Sequence, residues 1–166
     1  YWEIVGESDR EIIKSIAAYR ADNGEVLWKQ SEPEMASLVP LSLCAGGGKV
    51  FYLDRENLHC LSAETGKRQW SVPFPTEGSF LRNYAPTVVL HEDAILCLAT
   101  DRLAAFATGD GRLLWKKDQG YLGFGSPGDL FVVNGLVWTF PGKAGIRYAA
   151  KDRVMGAKGQ EFAAFD

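Results

Sequence analysis

A tryptophan four residues after a glycine, repeated three times at nearly constant intervals, constrains this chain more than any other feature. The pairs are Gly24/Trp28, Gly66/Trp70 and Gly111/Trp115. Each closes a copy of one pattern, over 16–28, 58–70 and 103–115: an alternating apolar run, a polar residue, the glycine, three residues, then the tryptophan. A fourth copy opens at Phe162 and runs to Asp166. Trp28 and Trp70 lie 42 positions apart, and Trp70 and Trp115 lie 45 apart. Self-similarity at about 40–50 residues marks a propeller or a solenoid. The runs are too short and too strand-like for paired helices, which leaves the propeller.

The stretches between the copies agree. In the second unit, Val39 to Cys44 reads as a strand, Ala45 to Gly48 as a turn and Lys49 to Leu53 as a strand. Asp54 to Asn57 reads as a turn, followed by strands over Leu58 to Leu61 and Gln69 to Val72. Four short antiparallel strands are the content of one blade. The third unit repeats the order, and Asn134-Gly135 marks a further hairpin. Asn23-Gly24 between apolar runs predicts a tight hairpin, because both residues tolerate positive φ. Pro40, Pro86 and Pro127 form a second ladder in step with the tryptophans. The expectation is an all-β chain supplying about three and a half to four blades of a partial β-propeller. The approximate blades are 1–36, 37–78, 79–122 and 123–166, the last incomplete and carrying an insertion over 141–160.

At Ala18, Gly24 and Trp28, at Thr65, Gly66 and Trp70, and at Ala105, Gly111 and Trp115, the pattern resembles the Ala-x-Asp-x-x-Thr-Gly-x-x-x-Trp repeat of pyrroloquinoline-quinone-type β-propellers. Ala164 and Asp166 match in the fourth copy, whereas Cys60 and Ser62 depart from the Ala and Asp in the second. Such repeats occur in quinoprotein dehydrogenases and in the bacterial outer-membrane-protein assembly lipoprotein. The resemblance implies that each hairpin forms the two outer strands of a blade, with its Trp packed between blades. An indole buries some 150–250 Å² and needs a partner for its N–H. Trp28, Trp70 and Trp115 are therefore expected to be largely buried, with a small residue opposite.

Quinone chemistry finds little support in the residues. Members that hold the quinone commonly use a vicinal cysteine pair and a Ca2+ on carboxylates. Cys44, Cys60 and Cys97 are not adjacent, and no acidic residues stand at metal-loop spacing. Three cysteines without C-x-x-C spacing make neither a disulfide framework nor a zinc site. His59 and His91 have no ligand at metal-site spacing. Gly46-Gly47-Gly48 lacks the Lys-Ser/Thr of a phosphate loop and reads as a hairpin turn. No cofactor, metal or catalytic residue is assigned, and pyrroloquinoline quinone with Ca2+ stays an unsupported option. A net charge of −3 gives no basic field to gather nucleic acid, and no apolar run is long enough to span a bilayer.

Recognition is expected on the loops that leave each outer strand. They carry Met35, Arg82, Asn83, Tyr84, Tyr121 and Phe124, aromatic and cationic material suited to an interface. The insertion holds Lys143, Arg147, Lys151, Arg153 and Lys158 against Asp152 alone and reads as a solvated loop. The leading expectation is a non-enzymatic scaffold that binds protein or another ligand across this loop face. The alternatives are a repeat segment of a quinone-dependent dehydrogenase and a sensor domain attached to an enzyme. An open arc leaves apolar flanks bare, so the chain is expected to be part of a longer protein or to self-associate into a ring. The resemblance implies a periplasmic or extracellular bacterial location.

Overall fold

The computed structural model describes residues 14–31, 35, 37–39, 41–76, 86–99, 102–118 and 130–139, with the backbone of 163–165. All regular structure among them is β. Strands β1 (Ser15–Tyr19) and β2 (Val26–Ser31) form a hairpin. Strands β3 (Cys44–Gly46), β4 (Lys49–Leu53), β5 (Asn57–Ser62) and β6 (Arg68–Pro73) make a four-stranded antiparallel meander. The next meander is β7 (Thr87–His91), β8 (Ala94–Ala99), β9 (Arg102–Ala107) and β10 (Leu113–Asp118). Strands β11 (Leu130–Val133), β12 (Leu136–Thr139) and β13 (Ala163–Phe165) form the last sheet. The fold is a partial β-propeller. With no helix among the described residues, no helix there can cross a membrane.

The sheets stack because their central strands are apolar on both sides. On β4, Val50 and Tyr52 join Ile16, Met35 and Leu61 in the seam with the first sheet. Phe51 and Leu53, one residue out of phase, turn to the opposite seam. There they meet Ile95, Cys97, Ala104 and Phe106 of the third sheet. Leu96, Leu98, Leu103 and Ala105 point the other way, onto Leu130 and Val137. Period-two alternation with both phases apolar is what a strand buried on both faces requires.

The first strand of the second blade is shorter than its sequence suggests. Val39 is buried, but Leu41 has φ +70° and is 88% exposed, so the extended run begins only at Cys44. Ser42 accounts for the break. Its buried hydroxyl donates to the Val39 carbonyl at 2.7 Å and accepts from the Leu53 N–H at 2.9 Å. A side chain thus does the work of the ladder there. Pro86 is buried directly before β7, while Pro40 and Pro127 lie outside the described residues. Segment 141–160 falls in chain order between the paired strands β12 and β13.

Candidate functional site: blade seams and the connector end

The three Gly–Trp hairpins share one geometry. The glycine N–H donates to the carbonyl four residues back, in Gly24 to Arg20, Gly66 to Ser62 and Gly111 to Ala107. The polar residue before the glycine accepts the N–H of the residue after it: Asn23 from Glu25 at 2.9 Å, Thr65 from Lys67 at 3.3 Å and Asp110 from Arg112 at 3.0 Å. Each glycine has φ between +69° and +74°, and each ladder carries a register shift where it meets the turn. This is the longer hairpin with one left-handed glycine and a bulge. The two-residue Asn-Gly turn expected at Asn23-Gly24 is corrected accordingly: Gly24 alone has positive φ, and Asn23 serves as a side-chain acceptor.

Trp28, Trp70 and Trp115 face Ala18, Cys60 and Ala105 across their ladders, so a small residue does stand opposite each indole. All three are half-buried, somewhat less than the large burial expected, because the outer strands border solvent. The Trp28 indole N–H donates to the Ala63 carbonyl of the next blade at 2.8 Å. The Trp70 indole N–H donates to Thr108 of the blade after that at 3.2 Å. The rings lie on glycines of those same turns. A Cβ added to Gly66 would sit 2.7 Å from the Trp28 ring, and one on Gly111 would sit 2.8 Å from the Trp70 ring. The Gly and Trp of one repeat therefore never serve each other. Trp28 and Trp70 each belong to the following repeat's Gly. Lys49 adds a third tie across the same seam, its ammonium donating to the Thr108 carbonyl at 2.7 Å.

At the other end of the second blade, the connector is stitched onto the β4–β5 turn. Phe74 N–H donates to Glu56, and the Thr76 N–H and hydroxyl both reach the Arg55 carbonyl. Asp54 accepts the N–H groups of Glu56 and Asn57 at 2.7 and 2.6 Å, and its other oxygen lies 2.7 Å from His59 Nε2. Burial pushes the Asp54 carboxyl up, but the His59 contact and the two N–H donors outweigh it and hold it below its ordinary value. His59 is buried and stacked on Tyr52 at 4.7 Å, and its Nδ1 has no hydrogen-bond partner among the described residues. The sequence reading passed over this pair, because the turn brings together residues five apart that no ligand motif would flag.

Of the residues assigned to the loop face, Met35 is a correction. It is 2% exposed and packs into the first seam with Ile16, Val50 and Tyr52, so it is closed to a partner. The neighbouring blade supplies an apolar wall that the loop's own sequence does not display. Arg82, Asn83, Tyr84, Tyr121 and Phe124 lie outside the described residues.

The cysteines form no vicinal pair. Cys44, Cys60 and Cys97 sit on three different strands within the seam between the second and third blades, away from the loop ends. Among the described residues no three His, Cys, Asp or Glu converge for a metal. Burial pushes the Cys44 and Cys60 thiols up to about 11, against opposing pulls from the Leu90 N–H and from Lys49. Burial, with Cys44 beside it, drives Cys97 well above its ordinary value. The reactive thiolate is therefore scarce at neutral pH. Iodoacetamide at neutral pH is expected to leave the folded protein unmodified. Half-buried Cys44 should label faster as the pH climbs toward its raised value, and all three should label once the chain unfolds. Rapid neutral labelling, read by mass, would contradict the burial described here.

The same seam has an opening at its outer rim. A groove of about 430 Å3 lies between the end of β6 and the face of β9–β10, bounded by Phe74, Pro75, Ala104, Phe106, Leu113 and Lys116. Phe74 and Phe106 meet edge-to-face at 5.9 Å along it.

A family model described as outer membrane protein assembly factor BamB matches residues 14–154. The chain belongs to this family of pyrroloquinoline-quinone-type repeat propellers. Solved structures agree on the fold. BamB from Moraxella catarrhalis superposes with a TM-score of 0.61 at 20% identity, over 75% of this chain and 40% of that one. The quinohemoprotein alcohol dehydrogenase ADHIIG from Pseudomonas putida HK5 gives 0.53 at 15% identity, over 76% and 25%. A europium-containing methanol dehydrogenase gives 0.50 at 16%, over 64% and 21%. The chain thus spans about two-fifths of the length of the Moraxella BamB it matches. A comparison with curated protein sequences found no match. For a BamB-family chain, the Gly–Trp interlock is the feature that turns repeats into blades.

Proposed function

We propose that this chain is a scaffold segment of an assembly-type propeller and binds a protein partner through its connector end, without catalysis. One observation carries the reading. In the two complete blades both broad faces are occupied by neighbouring blades, and the Gly–Trp turns at one end are engaged in the seams. The connector end and the outer edges are the surfaces left for recognition. Membership of a family described as an outer membrane assembly factor supports a protein partner, and an extracytoplasmic setting goes with it.

A photo-crosslinking amino acid placed at Tyr84 or Tyr121 in the full-length protein tests this in cells. A discrete crosslinked protein is expected from these sites and not from Thr65 or Asp110 in the Gly–Trp turns. Crosslinks confined to Thr65 or Asp110 would overturn the proposal. Incubation with pyrroloquinoline quinone and Ca2+ should leave no chromophore on the protein. A stoichiometric bound chromophore would move the reading to a dehydrogenase.

A further inference from the structure

One lining residue of the rim groove stands out when blades are aligned on their tryptophans. Trp70 and Trp115 share a position, as do Cys60 and Ala105 opposite them. Counting back one residue pairs His59 with Ala104. Each lies on the side of the preceding blade, where His59 stacks on Tyr52 of the first-seam cluster and Ala104 belongs to the second-seam cluster. Ala104 carries a single methyl in the second seam and lines the groove. At about 430 Å3 it is of the size that takes small ligands or protein side chains, about 300–1,000 Å3. Its wall is mainly apolar and aromatic, with Arg102, Lys116 and Asp118 as its charged residues.

Beside the groove runs an open strand edge. Among the described residues, strand β10 is outermost in its sheet and pairs only with β9. Its outward backbone N–H and C=O groups are a template for another strand. Its exposed side chains are an apolar pair, Leu113 and Leu114 (46% and 41% exposed), then Lys116, Lys117 and Asp118, with Arg102 of β9 also at the groove, so cations outnumber the one carboxylate. Strand β6 offers Arg68 and Gln69 in place of the apolar pair and ends in Pro73, which has no N–H to give. The groove and the paired leucines and lysines thus coincide on the third blade.

We infer that β10 accepts an extended peptide segment of a partner protein as a fifth strand, with an apolar side chain in the groove and acidic residues beside it. Side chains of an added strand alternate between its two faces. Those on the side of the second blade pass over Ala104 and between Phe74 and Phe106. Their neighbours in the peptide point the other way, toward Lys117, while Lys116 flanks the mouth of the groove. The lysines set the sign of the partner, since opposite charges across a strand pair stabilise it and like charges oppose it. The groove shares Phe74 and Pro75 with the connector of the second blade, so this inference deepens the connector-end reading; peptide binding to β10 without crosslinks from Tyr84 or Tyr121, or the reverse, tells the two apart.

The probe is a fluorescein-labelled acetyl-Thr-Glu-Phe-Glu-Val-Thr peptide, titrated with the full-length protein and read by anisotropy. Saturable binding is expected, weakened about tenfold when both peptide glutamates are replaced by lysine. Methylation of the backbone nitrogens of the peptide should abolish it. Ala104→His, which installs the residue of the matching position in the second blade, should weaken binding at least tenfold while the far-ultraviolet circular dichroism stays unchanged. Because position 104 is buried, the exposed pair Lys116→Glu with Lys117→Glu gives a second reading: it should reverse the preference between the two peptides. No binding at millimolar protein, or binding indifferent to backbone methylation and to both sets of substitutions, would overturn the assignment.

Discussion

Replacing Trp70 by alanine is expected to lower stability by about 3 kcal/mol, the low end of the range for deleting a large aromatic, because the ring is half-buried. The ring holds three relations at once. It packs against the cluster between the second and third blades, lies 5.8 Å from Phe51, and donates its indole N–H to Thr108. Trp70→Phe keeps some of the packing and loses the donor, so it should cost less than the alanine variant. The Thr108 carbonyl keeps the Lys49 ammonium as its donor, which spares the phenylalanine variant an unsatisfied acceptor. Urea unfolding of the full-length protein, followed by circular dichroism, measures both. Equal midpoints for wild type and Trp70→Ala would mean that the indole contributes nothing to the seam.

Gly111→Ala is expected to destabilise by about 2 kcal/mol, from two distinct causes. A φ of +74° disfavours any Cβ, at roughly 1 kcal/mol. The added methyl would also meet the Trp70 ring and a Val72 methyl, both at 2.8 Å, closer than van der Waals contact allows. A double-mutant cycle separates the causes. In a Trp70→Ala background the ring clash is gone, so Gly111→Ala should cost about 1 kcal/mol less than in wild type. The pair Gly66 and Trp28 should behave alike, and the pair Gly66 and Trp70, which belong to one repeat without touching, should be additive. Coupling within a repeat and none between repeats would refute the interlock.

What was legible in the sequence follows from how local the constraint is. A left-handed glycine and the polar acceptor before it act within six residues, so the hairpins at Gly24, Gly66 and Gly111 stand out by inspection. The alternation of Phe51 and Leu53 against Val50 and Tyr52 is equally local, and it places β4 between two neighbours. Met35 was misplaced because connectors have no period, and its burial depends on a wall supplied by another blade. Val39 to Leu43 looks like a strand by composition, and only the hydroxyl of Ser42 reveals that the chain turns there. Asp54 and His59 are joined by turn geometry, which spacing rules for metal or catalytic sites do not cover. Setting the repeats in register does show one blade-facing position that shrinks, from His59 to Ala104, and Ala104 lines the groove.

Because Trp28 and Trp70 each engage the glycine of the repeat that follows, a unit of this kind carries a key at its trailing edge and a slot in its turn. All seams of this kind share one fastening and one direction. A gene that duplicates or loses a whole unit of 42–45 residues rejoins a key to a slot each time. The number of blades can then drift without a new interface having to arise. The fastening leaves positions such as 59 and 104 free to differ from seam to seam. A lineage could therefore change what one seam admits while the ring continues to assemble by the same rule.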